Sequence, residues 1–184
     1  NLGGGFRGGQ AHEPHTLVAG ATGSGKSVLI QALLLDIAAT NPSALAHIHL
    51  IDPKMGVDYA AIERLPHLQG GVIVSQDQAI VVMETLISEM ERRYELFRTN
   101  GARDIRAFNA KVASEDMLPL KFLIHDEFAE WMLTEDYKAA VTATSCGGPT
   151  EAWFLNRDPA LARKAGLDPT TFNKSKRMTR EGKP

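Results

Sequence analysis

The hydrophobic pattern of this 184-residue chain alternates short apolar runs with longer amphipathic stretches, which predicts strands and helices in turn. Residues 16–19 form a short apolar run closed by Gly20. Residues 27–40 carry apolar side chains at the spacing of a mostly buried helix, which Asn41-Pro42 stops. Residues 48–51 are apolar, partly β-branched and followed by Asp52-Pro53, as suits a buried strand with a carboxylate at its C-terminal end. Farther on, Ile80, Val81, Met83, Leu86, Ile87, Met90, Tyr94 and Phe97 recur every three or four residues, predicting a long helix that Asp77 can cap and Gly101 can end. A shorter helix over 104–112 and an apolar strand over 121–124, leading into His125-Asp126-Glu127, complete the order β, α, β, α, α, β. That order predicts an α/β fold with a mostly parallel sheet flanked by helices.

The ends of the chain read differently. Residues 3–9 hold five glycines, so 1–13 reads as a flexible lead-in, 14–144 as the core and 145–184 as a tail of unassigned structure. With 43% hydrophobic and 23% charged residues the length suits about one domain. The 20 Lys and Arg against 22 Asp and Glu exclude a uniformly basic nucleic-acid binder. That balance conceals a polarity: the tail has eight basic and four acidic residues, net +4, leaving 12 against 18, or −6, for residues 1–144. A basic run of this kind is more often a solvated surface than a nucleic-acid contact.

The longest apolar run, 28–39, is broken by Gln31 and Asp36 and falls short of the ~20 residues that span a bilayer, so no membrane contact is expected from this sequence. Cys146 is the one cysteine and cannot form an internal disulfide, which fits a reducing, cytoplasmic setting. His47 and His49 share a strand face. A third ligand of suitable spacing is missing, so hydrogen-bonded strand histidines are a better reading than a metal pair.

The chemistry concentrates in two places. Gly20-Ala21-Thr22-Gly23-Ser24-Gly25-Lys26-Ser27 is a complete G-x-x-x-x-G-K-[ST] loop between a predicted strand and a predicted helix. Its glycines let successive N–H groups turn toward phosphate oxygens, and the helix that follows adds its positive end. Gly20, Thr22, Gly23, Ser24, Gly25, Lys26, Ser27 and Val28 are therefore the candidate nucleotide contacts, with Lys26 on the β- and γ-phosphates and the Ser27 hydroxyl on Mg²⁺. At the end of the 121–124 strand, Asp126 would hold Mg²⁺ and Glu127 would orient or polarise the attacking water. ATP and Mg²⁺ are the implied cofactors. Asp52-Pro53-Lys54 lies where ligands bind in open α/β sheets, but reads equally as a strand-ending turn with Lys54 in solvent.

The run from Pro14 through the loop, Ile51-Asp52-Pro53-Lys54, Pro66-His67-Leu68, Glu89-Met90-Glu91-Arg92-Arg93-Tyr94 and Asp126-Glu127-Phe128-Ala129 together resemble the motor domain of FtsK/SpoIIIE DNA translocases over residues 14–144. The resemblance implies a RecA-like P-loop NTPase that assembles as a homo-oligomeric ring, usually a hexamer, around double-stranded DNA and moves it by ATP hydrolysis. It also implies an arginine reaching a neighbouring subunit's γ-phosphate. Arg92 and Arg93 are the candidates, although Glu89, Glu91 and Glu95 could equally pair with them along the helix. Similar type VII secretion ATPases, which move proteins, share several of these motifs but usually differ at Asp-Pro-Lys. A nucleotide-gated assembly module with weak hydrolysis is the non-enzymatic alternative. The family's Thr-Gln-Arg-Pro sensor strand has no match after Val141, so the sheet is expected to be incomplete past the carboxylate strand and its helix.

Overall fold

The computed structural model describes residues 15–21, 23–127, 130–146 and 151–156. Residues 1–14, Thr22, Phe128, Ala129, 147–150 and 157–184 lie outside them. In chain order the elements are β1 (His15–Ala19), α1 (Lys26–Thr40), β2 (Ala46–Ile51), β3 (Leu68–Ile73), α2 (Gln76–Thr99), α3 (Ile105–Asn109), β4 (Leu120–His125), α4 (Glu135–Cys146) and β5 (Glu151–Asn156). All strand pairs are parallel, in the order β1-β5-β4-β2-β3.

Two strands go beyond the sequence reading. β3 is Leu-Gln-Gly-Gly-Val-Ile, with Gly70 and Gly71 at φ 76° and 79°, so it lacks the apolar run that marks a buried strand. β5 lies in the 145–184 segment, and it is an interior strand: it pairs with β1 from His15↔Ala152 to Ala19↔Asn156 and with β4 from Phe122↔Glu151 to His125↔Phe154. The sheet therefore does not stop at β4. Smaller differences occur at helix ends, where Ser75 rather than Asp77 precedes α2 and α3 ends at Asn109 rather than near 112. Asp104 caps α3 by accepting from Ala107 N–H at 2.8 Å.

Strand alternation sends side chains to two cores. Ala46, Ile48 and Leu50 of β2 and Phe122 and Ile124 of β4 pack with Ile30 and Leu34 of α1 and with Tyr59 and Ile62 from the β2–β3 connection. On the opposite face Ile51 and Leu123 meet Ala79, Met83 and Leu86 of α2 and Tyr137, Ala140 and Val141 of α4. Each large side chain so buried contributes about 1.5–3 kcal/mol relative to exposure. The parallel registers bring the C-terminal ends of all five strands to one edge of this layered sandwich.

His47 and His49 lie on the α2 side of β2. Lys121 Nζ donates to His47 Nδ1 at 2.9 Å, and burial first, then Lys121, lowers the pKa of both histidines, that of His49 to about 4. Among the described residues no group of three or more His, Cys, Asp or Glu is placed to hold a metal ion, and no helix is long and apolar enough to cross a membrane.

Candidate active site

The turn from β1 to α1 runs over Gly20 and Ala21, then Gly23, Ser24 and Gly25, with Thr22 outside the described residues. Gly23 and Gly25 take φ 79° and 84°, a region that strains any other residue. At Gly20 a Cβ would sit 2.5 Å from Ser24 Oγ, so the Ser24 hydroxyl would have to rotate away to admit one. Gly25 is the N-cap of α1 and brings no side chain to the helix end. The first-turn N–H groups of α1, starting at Lys26, Ser27 and Val28, therefore keep the orphan donors and partial positive charge that suit a phosphate. Val28 itself is exposed, so its contribution to such a site is its backbone.

Lys26 is buried at the base of the turn. Its Nζ lies 3.6 Å from Asp126 Oδ1 and 3.7 Å from Glu127 Oε1, so the two motifs read separately in the sequence meet in space. β4 makes this meeting possible: Asp126 N–H continues the sheet ladder to Ile51 O at 2.9 Å and fixes the carboxylate at the strand's end. Asp126 Oδ1 accepts from Glu127 N–H at 3.0 Å, and Oδ2 accepts from the buried Tyr59 hydroxyl at 2.8 Å. Burial, then the Asp126 charge, raises the Tyr59 pKa, so the phenol remains a donor. Glu127 is 7% exposed and adopts φ 53°, an uncommon backbone for a non-glycine residue.

The β2–β3 connection supplies three contacts that sequence reading did not assign. Tyr59 is one. Asp58 is another, with Oδ2 accepting from Ser27 Oγ at 3.2 Å while its backbone carbonyl accepts from Gln31 Nε2 at 2.7 Å. Lys54 is the third, its Nζ 3.6 Å from Glu127 Oε1. Asp52 is 2% exposed and faces its own turn, accepting from the N–H groups of Lys54 and Gly56, each at 2.9 Å. Burial raises its pKa, with those two hydrogen bonds opposing. Of the sequence alternatives for Asp52, the strand-ending turn is the one formed; Lys54 is not simply in solvent. The Ser27 hydroxyl, beside Asp58, and the Asp126 carboxylate at the end of β4 are oxygen donors of the hard kind that Mg²⁺ takes.

A family model described as FtsK/SpoIIIE matches residues 8–151. The chain belongs to the FtsK/SpoIIIE family. The DNA translocase SftA of Bacillus subtilis (strain 168) is 43% identical over 123 residues, which are 65% of this chain and 13% of SftA. The conjugation coupling protein TcpA of pCW3, solved as a monomer with ATPγS, superposes with TM-score 0.66 at 26% identity over 80% of this chain and 43% of TcpA. The cytoplasmic domain of the Thermomonospora curvata type VII secretion ATPase EccC gives TM-score 0.65 at 26% identity over 85% of this chain and 19% of EccC. The fold is thus the RecA-like P-loop sandwich of the FtsK/SpoIIIE family.

Arg93 is 6% exposed and engaged within its own chain: Nε donates to Glu89 Oε1 at 2.7 Å and Nη1 to the Pro119 carbonyl at 2.8 Å. It fastens α2 to the N-terminal end of β4. Arg92 pairs with the same Glu89 but keeps its side chain 55% exposed. Hydrogen bonding from Arg92, then Arg93, pulls the Glu89 pKa down to about 2. Both arginines stand toward the sheet edge opposite this chain's own phosphate turn.

Proposed function

We propose that this chain is the motor part of an ATP-driven double-stranded DNA translocase that works in the cytoplasm as a homo-oligomeric, hexameric ring. The observation that supports this most is the convergence of Lys26, Asp126 and Glu127 at one sheet edge, in a family whose relatives include proteins named DNA translocases. The first turn of α1 binds the phosphates of ATP, and Lys26 leaves its carboxylate partners to neutralise them. Ser27 and Asp126 hold Mg²⁺, which when bound neutralises charge developing on the phosphates. Tyr59 keeps Asp126 oriented through its 2.8 Å hydrogen bond. Glu127 orients the water whose oxygen bonds to the γ-phosphorus as the bond to the β-phosphate oxygen breaks, releasing ADP and phosphate.

In the ring, Arg92 rather than Arg93 is the candidate to meet a neighbouring copy's γ-phosphate, because its side chain is the exposed one. Ring closure of this kind is heterologous, one face of each copy meeting a different face of the next. DNA is gripped through its phosphates, with little reading of bases. Steady-state ATPase activity with and without linear duplex DNA tests the reading. Stimulation by duplex, lost in Lys26→Ala and Glu127→Gln, is expected. The likeness to EccC makes a protein substrate the second reading, and stimulation by a secreted-protein peptide with indifference to DNA selects it. Nucleotide binding without turnover selects an assembly module.

A further inference from the structure

We infer that Lys54 is a positioning residue for Glu127 in the ATPase reaction proposed above, on which this inference rests. Lys54 Nζ stands 3.6 Å from Glu127 Oε1, the same oxygen that Lys26 Nζ approaches at 3.7 Å. Lys26 and Lys54 thus both set positive charge against the carboxylates of Asp126 and Glu127. Entry of a nucleotide changes that balance, because Lys26 is drawn to the phosphates and Glu127 is left beside an anion that repels it. Lys54 then remains as a cation beside the carboxylate and steadies it next to the attacking water.

Lys54 is suited to this by the rigidity of its attachment. Both oxygens of buried Asp52 are used on the turn that carries it, one on Lys54 N–H and one on Gly56 N–H, each at 2.9 Å. Met55 and Gly56 take φ 67° and 70°, and a Cβ at Gly56 would lie 3.2 Å from Val72 Cγ1, so the turn is closed down on β3. On the other side of the ion pair Glu127 holds φ 53° with its N–H on Asp126. Non-glycine residues in this region are retained where the surroundings over-determine them, and they gather at functional sites. Two of them, Met55 and Glu127, bracket this one contact. A lysine serving only as a solvated surface charge needs neither the Asp52 turn nor a 7% exposed partner.

The test uses the full chain and the variants Lys54→Met and Lys54→Arg, alone and combined with Glu127→Gln. Lys54→Met is expected to lower single-turnover and steady-state kcat by about 10- to 100-fold, the scale of a misplaced catalytic group, with KM moving by less than about threefold. Affinity for a fluorescent ATP analogue, measured without turnover, is expected to stay within about threefold as well. Lys54→Arg should recover most of the rate, and Lys54→Met should add no further loss once Glu127 is already Gln. An active parent whose Lys54→Met variant keeps its kcat within about twofold overturns the inference alone. So does an equal further loss in the Glu127→Gln background, or a fall in analogue affinity that matches the fall in rate. A parent that hydrolyses no ATP overturns the ATPase reading and this inference with it.

Discussion

Replacing Tyr59 by Phe removes one oxygen and leaves the ring in a fully buried pocket between β2, α1 and the β2–β3 connection. That oxygen donates to Asp126 Oδ2 at 2.8 Å, and Asp126 is itself 3% exposed, so water cannot readily take the donor's place. A hydrogen bond to a charged group contributes about 1.5–3 kcal/mol, and the buried acceptor left behind keeps the loss near that full value. For a chain of this size each kcal/mol moves Tm by about 2–4 °C, so Tyr59→Phe should melt about 3–12 °C lower. Urea unfolding of the nucleotide-free protein gives the free energy directly. The comparison that isolates the bond is Tyr59→Phe made in an Asp126→Asn background, where the acceptor oxygen remains but its charge does not. There the cost should fall to about 0.5–1.5 kcal/mol, the value of a neutral hydrogen bond. A cost below about 0.5 kcal/mol in the parent, or one unchanged by Asp126→Asn, refutes the argument that the phenol steadies a charged carboxylate.

Further expectations rest on different parts of the molecule. Arg93→Met should destabilise by about 1.5–3 kcal/mol because it breaks a part-buried charged hydrogen bond and frees the Pro119 carbonyl, whereas Arg92→Ala should cost under about 1 kcal/mol as an exposed pair; equal costs in urea unfolding contradict the distinction. His125 and His49 have pKa values lowered to about 3 and about 4 by burial. Both are therefore neutral in the fold and bind protons more readily when unfolded. Their contribution is complete above pH ~6.5 and is lost as pH falls toward those folded values, by about 1.4 kcal/mol per pH unit for each proton. Glu89, with its pKa pulled down from 4.5 to about 2, adds its own loss at the acid end of that window, as pH falls from the ordinary carboxylate value toward the folded one, and leaves the range from pH 7 to 5 to the histidines. Unfolding free energies that stay flat between pH 7 and 5 contradict the burial argument.

The sequence carried the outline of the site because its two motifs are local. A glycine-rich turn between an apolar strand and a helix, and a pair of carboxylates after an apolar strand, can each be read within eight residues. Their meeting at Lys26 follows from strand order, which no local pattern states. β5 shows the limit most clearly: four apolar residues between Gly147-Gly148-Pro149 and Arg157-Asp158-Pro159 look like part of an irregular tail. Parallel pairing with β1 and β4 nevertheless puts them in an interior strand of the sheet. β3 was hidden for a different reason, since its two left-handed glycines break the apolar alternation that marks a strand. Tyr59 is paired across 67 residues and Lys54 across 73, and nothing in their neighbourhoods announces such partners. The tie between Arg93 and Pro119 is not legible in the sequence because the Pro119 carbonyl is a backbone group, which side-chain charge patterns do not register.

The measurement that bears most directly on the proposed motor is ATP turnover by the full chain with and without linear duplex DNA, set beside Lys26→Ala and Glu127→Gln. The expected result is a rate raised by duplex and nearly abolished in both variants, with Glu127→Gln still binding nucleotide. A rate indifferent to DNA contradicts the translocase reading, and turnover that survives Glu127→Gln contradicts the site itself.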